Sequence, residues 1–244
     1  MIRARSPAQS LHGRLGWEKG GFTKPATTSA NEVVLRLLPR SPQNDEKTAG
    51  ISREHVAVAI QDDGLFLIDR SGSHETQLDG RPVSQRAPIP LNRPSVVQIG
   101  GVLQLRLVPF FESTDIHNSS CHRYAECGRP DGTWQIAERL GIRSLLIERV
   151  NNLANDECYI IVYRWANVGC AAGHEVMIPG AGLEDVHARI VRLGSQFWLH
   201  AMADGVVVDG VSVLNGHICP LAAGMPVLLG GISGELAEFK QVGL

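Results

Sequence analysis

Leu78-Asp79-Gly80-Arg81-Pro82-Val83 and Val208-Asp209-Gly210-Val211-Ser212-Val213 stand 130 residues apart and decide how the chain is organised. Each is an Asp-Gly pair between apolar residues, the strongest short-range signal of a β-hairpin. At the same offset Pro90-Leu91 matches Pro220-Leu221, Val97 matches Val227 and Gly100-Gly101 matches Gly230-Gly231, without a gap. Upstream, His55 with Leu65-Phe66-Leu67 corresponds to His187 with Phe197-Trp198-Leu199 at an offset of 132. A period this long signals a duplicated domain, because solenoid units repeat every ~20 to 50 residues. The duplication predicts a domain over 1–110, a linker over 111–141 and a second domain over 142–244. The boundary then falls in the irregular Ser/His/Asn/Cys-rich stretch from Ser113 to Gly132, where few contacts are expected to cross.

The residues around the repeat read as short strands. Val56-Ala57-Val58-Ala59-Ile60 and Leu65-Phe66-Leu67-Ile68-Asp69 flank Gln61-Asp62-Asp63-Gly64, a hairpin pattern. Val96 to Leu107 reads as two strands broken at Gly100-Gly101, and Ser144–Val150 with Cys158–Trp165 as another hairpin. Residues 1–30 are poorly patterned, Pro39–Ala49 is a loop by composition, and the latter makes the first copy longer than the second between residue 23 and His55. Strands with turn signals about every ten residues predict an all-β sandwich or barrel.

Composition narrows the function. With 23 Lys and Arg against 25 Asp and Glu the formal charge is −2, so there is no basic field to hold a nucleic acid or an anionic membrane. The first residues lack the apolar run of a signal peptide, no apolar stretch is long enough to span a bilayer, and five cysteines cannot all pair, which together predict a cytoplasmic chain with reduced thiols. His117, Cys121, His122 and Cys127 do not have zinc-ligand spacing, and no metal site or cofactor is expected. Nor is there a nucleophile elbow, a phosphate-binding Gly-rich loop or a His-Glu-x-x-His helix, so the chain reads as non-enzymatic. Trp134, Trp165 and Trp198 read as packing residues, and Cys158, Cys170 and Cys219 as strand or core residues.

The first copy also carries Ile51-Ser52-Arg53-Glu54-His55, then Asp69-Arg70-Ser71-Gly72-Ser73-His74-Glu75-Thr76-Gln77-Leu78-Asp79-Gly80, then Ile99-Gly100. This spaced combination resembles the forkhead-associated (FHA) domain. The resemblance implies a β-sandwich whose loops at one end bind phosphothreonine peptides, and the duplication then gives two tandem FHA-like β-sandwiches. It implies that Ser52 donates to the phosphate, that Arg53 adds charge beside it, and that Ser73 touches the phosphate. His74 stands where the family has an Asn that grips the peptide backbone, and Glu75 where it has Gly. His55 and Thr76 become structural supports of the loops. Aligning Phe22-Thr23-Lys24 with Val168-Gly169-Cys170 places Lys24 at the family's arginine position. Several converging donors and at least one cation are what a phosphate monoester of about −2 charge requires.

The second copy keeps His187 but has Glu184 three residues before it and Cys170 at the arginine position, and a carboxylate repels phosphate. The sequence therefore predicts a cytoplasmic signalling adaptor whose first domain binds a phosphothreonine-containing protein, a kinase or kinase substrate, with no nucleic acid or membrane partner. The competing reading is a phosphate-independent scaffold in which both sandwiches are degenerate and the chain could form a homodimer.

Overall fold

A computed structural model describes residues 2–5, 23–29, 32–37, 51–52, 54–72, 76–112, 124, 130–150, 157–178, 182–222 and 224–235. These residues are almost entirely β, as the turn-rich sequence predicts. The chain divides into two compact units. The amino-proximal unit holds Gly13–Pro109, Glu148–Ala154 and Val242–Leu244, and the carboxy-proximal unit holds Met1–His12, Phe110–Ile147 and Asn155–Gln241. This division is interleaved along the sequence, where the repeat suggested a plain succession of 1–110, 111–141 and 142–244. The interleaving shows in one contact within each unit. β1 (Ile2–Arg5) pairs with the strand Glu157–Val162 of its own unit, and Val150 donates its N–H to the carbonyl of Gln104 in the other.

In the amino-proximal unit β2 (Thr23–Ser29), β3 (Glu32–Leu37), β4 (Val56–Gln61), β5 (Gly64–Asp69) and a short β8 (Ile89–Pro90) form one antiparallel sheet in the order β2-β3-β4-β5-β8. The second layer is β10-β9-β6-β7, built from β6 (Thr76–Leu78), β7 (Arg81–Pro82), β9 (Ser95–Ile99) and β10 (Leu103–Phe111). Burial alternates along β5, β9 and β10, so Leu65, Leu67, Val97, Ile99, Leu103, Leu105 and Leu107 enter the core while their neighbours face out. β4 breaks the alternation: Ala57 and Ala59 are buried on its other face as well. The Asp79-Gly80 turn has positive φ at both residues (51° and 76°), the geometry for which Asp-Gly is selected in a two-residue hairpin. Asp79 also closes the turn onto β9, its carboxylate accepting the N–H of Val96 at 2.8 Å.

The carboxy-proximal unit repeats this order. After β11 (Ile142–Arg149) and β12 (Glu157–Val162) come β13 (Trp165–Gly169), β14 (Val176–Met177), β15 (Ala188–Leu193), β16 (Gln196–Ala201), β17 (Val206–Val208), β18 (Val211–Val213), β19 (Ile218–Leu221), β20 (Pro226–Leu229) and β21 (Ile232–Glu235). Its sheets run β14-β13-β15-β16-β19 and β18-β17-β20-β21. The registers coincide: Val56 opposite Asp69 becomes Ala188 opposite Ala201, and Leu78 opposite Val97 becomes Val208 opposite Val227. Asp209 and Gly210 take positive φ as their counterparts do (49° and 77°). Pro226 replaces Val96 and has no N–H for the carboxylate, so only the bond from the N–H of Asp209 to its carbonyl remains.

Two features depart from the sequence reading. The strand expected to run from Cys158 through Trp165 ends at Val162, because the N–H groups of Tyr163 and Arg164 both turn to the carbonyl of Arg143 before β13 begins. Within the expected linker 111–141, α1 (Gly132–Arg139) is helical. Asp131 caps it, accepting the Trp134 N–H at 2.9 Å, and an Asp immediately before an apolar periodic run is the signal that marks such a start. The helix buries Thr133, Trp134 and Ala137. Trp134 joins Tyr124, Trp165, Val191 and Leu193 in one cluster, with Trp198 packed against it, so the three tryptophans are packing residues.

Arg164 ties this cluster together. Its side chain is 1% exposed, lies 4.2 Å from the centroid of Trp165 and 5.2 Å from that of Trp134, and pairs with Glu112 at 2.8 Å and Glu138 at 3.2 Å. Arg192 reaches the cap itself, pairing with Asp131 at 2.6 Å. A buried guanidinium persists only when charge partners and aromatic faces replace its water. Arg164→Ala strips the two carboxylates of their partner and leaves a void between the rings. The expected outcome is a loss of about 2 to 4 kcal/mol, read as a lower denaturant midpoint in tryptophan fluorescence, with Arg164→Lys falling between because an ammonium cannot form the planar fork.

Candidate functional site

At one end of the amino-proximal unit two loops are held side by side. Because Val56 lies opposite Asp69, the chain enters β4 at His55 and leaves β5 at Arg70 side by side. His55 is fully buried, and its Nδ1 accepts the N–H of Ser52 at 3.0 Å while its carbonyl accepts the N–H of Arg70 at 2.8 Å. An imidazole nitrogen that accepts is unprotonated, so the bond requires the neutral ring with its proton on Nε2. Asp69, also buried, accepts the Ser71 N–H on Oδ1 at 2.8 Å, a carboxylate closing its own turn two residues on. At the far side of the loop Thr76 is buried at the start of β6, and its carbonyl takes the N–H of Val83 at 2.8 Å. Ser71 and Thr76 are thus each held by a hydrogen bond, and Ser52 is half-buried.

Of the residues expected to contact phosphate, Ser52 lies at this end. Arg53, Ser73 and His74, like Glu75, lie outside the described residues, as do His117, Cys121, His122 and Cys127. Lys24 is on β2, opposite Arg36. The ladder changes its alignment. Leu35 pairs with Val56 as Val168 pairs with Ala188, so β3 rather than β2 occupies the place of β13, and Leu37 rather than Lys24 matches Cys170. By the same register the first unit has no long insert before its histidine: Leu35 to His55 is one residue longer than Val168 to His187. The pattern misled because β2 is an extra strand outside β3. Lys24 still lies in the first residues of that strand, at the Val56 end of the sheet, since Thr23 pairs with Leu37. Arg70 is committed elsewhere, its guanidinium meeting Glu32 at 2.6 Å.

Sequence reasoning passed over Asp69, whose Asp-x-Ser spacing is the signal of an Asx turn, and Arg86. Arg86 donates its N–H to the carbonyl of Asp69 at 2.9 Å, which brings the turn Ser84–Ala87 to the same end of the sheet.

The carboxy-proximal unit reproduces the support and changes the chemistry around it. The N–H of Glu184 donates to Nδ1 of His187 at 3.3 Å, and the His187 carbonyl accepts the N–H groups of Met202 and Ala203. Gly169 is required here, since a Cβ would lie 2.0 Å from the carbonyl oxygen of Asp185. Cys170 follows it, its Sγ 3.8 Å from the Asp185 carboxylate. Where the first unit presents Ser52, this one presents Glu184. Across the outer face of its β14-β13-β15-β16-β19 sheet, Arg189 donates to Asn167 at 3.0 Å and to the Tyr124 hydroxyl at 3.4 Å, which meets Nδ1 of His200 at 2.9 Å. Ala57, Val34 and Ile68 hold the equivalent positions of the first unit. Among the described residues no group of three His, Cys, Asp or Glu side chains could hold a metal, and no helix is long and apolar enough to cross a membrane.

The model of the FHA domain family matches residues 28–100. This segment of the chain is an FHA domain. The match covers β3 to β9 and both loops of the His55 end, so this part of the chain is a non-catalytic module for protein–protein recognition of the phosphopeptide-binding kind. A comparison with curated proteins finds no match.

Burial holds the His187 pKa below its ordinary 6.5, outweighing the nearby Glu184 carboxylate, which raises it. The unfolded chain then takes up the proton first as pH falls, and protonation also abolishes the acceptor for the Glu184 N–H. The stability contributed by neutral His187 is complete above 6.5 and declines as the pH falls through the folded value. Urea midpoints measured from pH 7.5 to 5 are expected to fall with pH in the native chain, and His187→Asn, which keeps an acceptor but does not titrate, is expected to flatten that slope.

Proposed function

We propose that the chain is a non-enzymatic signalling adaptor of the cytoplasm, and that its FHA domain binds a phosphothreonine on a partner protein, a kinase or kinase substrate, at the His55 end. The observation that supports this most is the pair of loops fastened by His55 and Asp69 within the matched segment. Ser52 supplies a hydroxyl and Ser73 a second one, while Arg53 and Lys24 supply charge, and His74 serves as a donor to the peptide backbone. His55 and Thr76 position these groups and do not touch the ligand. Hydroxyl and cationic donors on loops held by a rigid sandwich recognise a dianion without a metal or a helix terminus.

The carboxy-proximal unit is, in the same reading, a second FHA-like sandwich that has kept its scaffold and lost its phosphate. Glu184 in place of Ser52 favours this, since a carboxylate beside a phosphate is repulsive. Such a unit serves protein contact without phosphate, including contact with a second copy of the chain.

A library of threonine peptides in phosphorylated and unphosphorylated form, presented to the intact chain, tests the reading. The phosphorylated members are expected to bind at least tenfold more tightly, and Ser52→Ala is expected to remove most of that difference at an unchanged melting temperature. Equal binding of both forms, with Ser52→Ala indistinguishable from the native chain, would return the protein to the class of phosphate-independent scaffolds.

A further inference from the structure

In each unit the second sheet ends in a short hairpin strand, β7 or β18, and the two edges are finished in opposite ways. The bonds of the neighbouring strand fix which backbone groups of that edge face outward. In the carboxy-proximal unit the N–H of Asp209 donates to the carbonyl of Pro226, beside β20. Peptide groups alternate in direction along a strand, so Asp209 and Val207 turn toward β20 while Val208 and Val206 turn toward β18. Val211 and Val213, opposite those two, bond inward, and Ser212, opposite Val207, points its N–H and carbonyl away from the sheet. The amino-proximal unit keeps the same phase: Asp79 donates to Val96 and Val83 donates inward to Thr76, so the outward place belongs to Pro82. Proline has no N–H to offer there, and the exposed Arg81 beside it adds a charge. These are two of the devices that keep a sheet edge from pairing with another strand.

β18 carries neither device. It reads Val211-Ser212-Val213, followed by Leu214, without charge or proline. Val211 and Leu214 are each 67% exposed, the most of any large apolar side chain among the described residues. Val211 shares a face of the sheet with the buried Val208 and Val213, yet it lies uncovered at the rim. An uncharged edge that exposes apolar side chains and an outward N–H and carbonyl is a pairing surface.

We propose that β18 pairs antiparallel with β18 of a second copy of the chain, joining two four-stranded sheets across a two-fold axis at Ser212. The segment is its own complement. The order Val-Ser-Val reads the same in both directions, so the two Ser212 residues exchange N–H to carbonyl bonds, and Val211 of each copy falls opposite Val213 of the other. No like charges meet, since Asp209 falls opposite Asn215 and Gly210 opposite Leu214. A slip by one residue would turn the valines to the wrong face, and a two-fold contact closes at the dimer. Pro82 denies the same pair of bonds to the amino-proximal unit. A contact centred on three paired residues a side is smaller than the ~1,200 Å² of a stable interface, so the dimer is reversible and forms as concentration rises. The proposal deepens the protein-contact reading of the carboxy-proximal unit and does not depend on phosphate recognition by the FHA domain.

Sedimentation equilibrium of the intact chain from low to high micromolar concentration, with amide hydrogen exchange at both ends of that range, tests it. The average mass is expected to rise from one chain toward two, and the Ser212 amide to exchange about tenfold more slowly at the high concentration. Ser212→Pro, which gives β18 the residue that stands at this place in β7, is expected to stay monomeric at an unchanged melting temperature, because the N–H it removes faces out of the sheet. Val211→Arg, which copies Arg81, is expected to weaken association about tenfold or more by setting a charge against Val213 of the other copy. A native chain that is monomeric across the range overturns self-pairing and leaves the edge to a strand of another protein. A dimer that both variants retain, or one that leaves exchange at Ser212 unchanged, overturns the β18 edge and moves the protein contact to another surface. Should Ser212→Pro lower the melting temperature, Val211→Arg decides: association equal to that of the native chain overturns the proposal.

Discussion

Both units depend on a buried imidazole that accepts a backbone N–H from three residues before it. Ser52 donates to His55 and Glu184 to His187, and in each unit the same histidine uses its carbonyl to hold the segment leaving the neighbouring strand, at Arg70 or at Met202. One side chain thereby fixes the path of two loops. The cost of burying a polar ring is offset by bonds that no apolar residue could make, and neutrality of the ring is a condition of the arrangement. The strands on either side supply the rest: a ladder that sets Val56 opposite Asp69 cannot separate the loops it feeds.

With the backbone held in common, the two units differ in what the frame presents. The first offers a hydroxyl at Ser52, a closed carboxylate turn at Asp69 and an arginine at residue 86. The second offers Glu184, Ala201 and Gly216 at the matching places, and spends its polar side chains on the outer face of a sheet, where Tyr124, Asn167, Arg189 and His200 bond to one another beneath α1 and beside Arg164. An aromatic and polar layer thus covers that face of the carboxy-proximal unit.

The hairpins were legible because their determinants are local. Asp-Gly demands positive φ, alternation assigns faces, and the offset of 130 carries both through to the register of β17 and β20. The histidine support was legible through the Ser-x-x-His spacing. What the sequence obscured was non-local. Lys24 was aligned with Cys170 because both precede the histidine region, yet the ladder inserts β3 between β2 and β4, and only pairing partners reveal that. The helix after Asp131 was hidden by its surroundings, a polar stretch in which a single cap and three buried residues carry the signal. Arg86 was invisible because nothing in an arginine announces a positive φ; it took the matching turn at Gly216 to show what that place prefers.

The central claim is that the end of the amino-proximal unit framed by His55 and Asp69 is the phosphate-reading surface. Amide chemical shifts of the isotope-labelled chain, recorded during titration with a phosphothreonine peptide and then with its unphosphorylated twin, test it most directly. The account predicts phosphate-dependent shifts concentrated at Ser52, Arg70, Ser71, Thr76 and Arg86, with Glu184, Met202 and Gly216 unmoved. Shifts of equal size with both peptides, or shifts centred on the His187 end of the other unit, would contradict it.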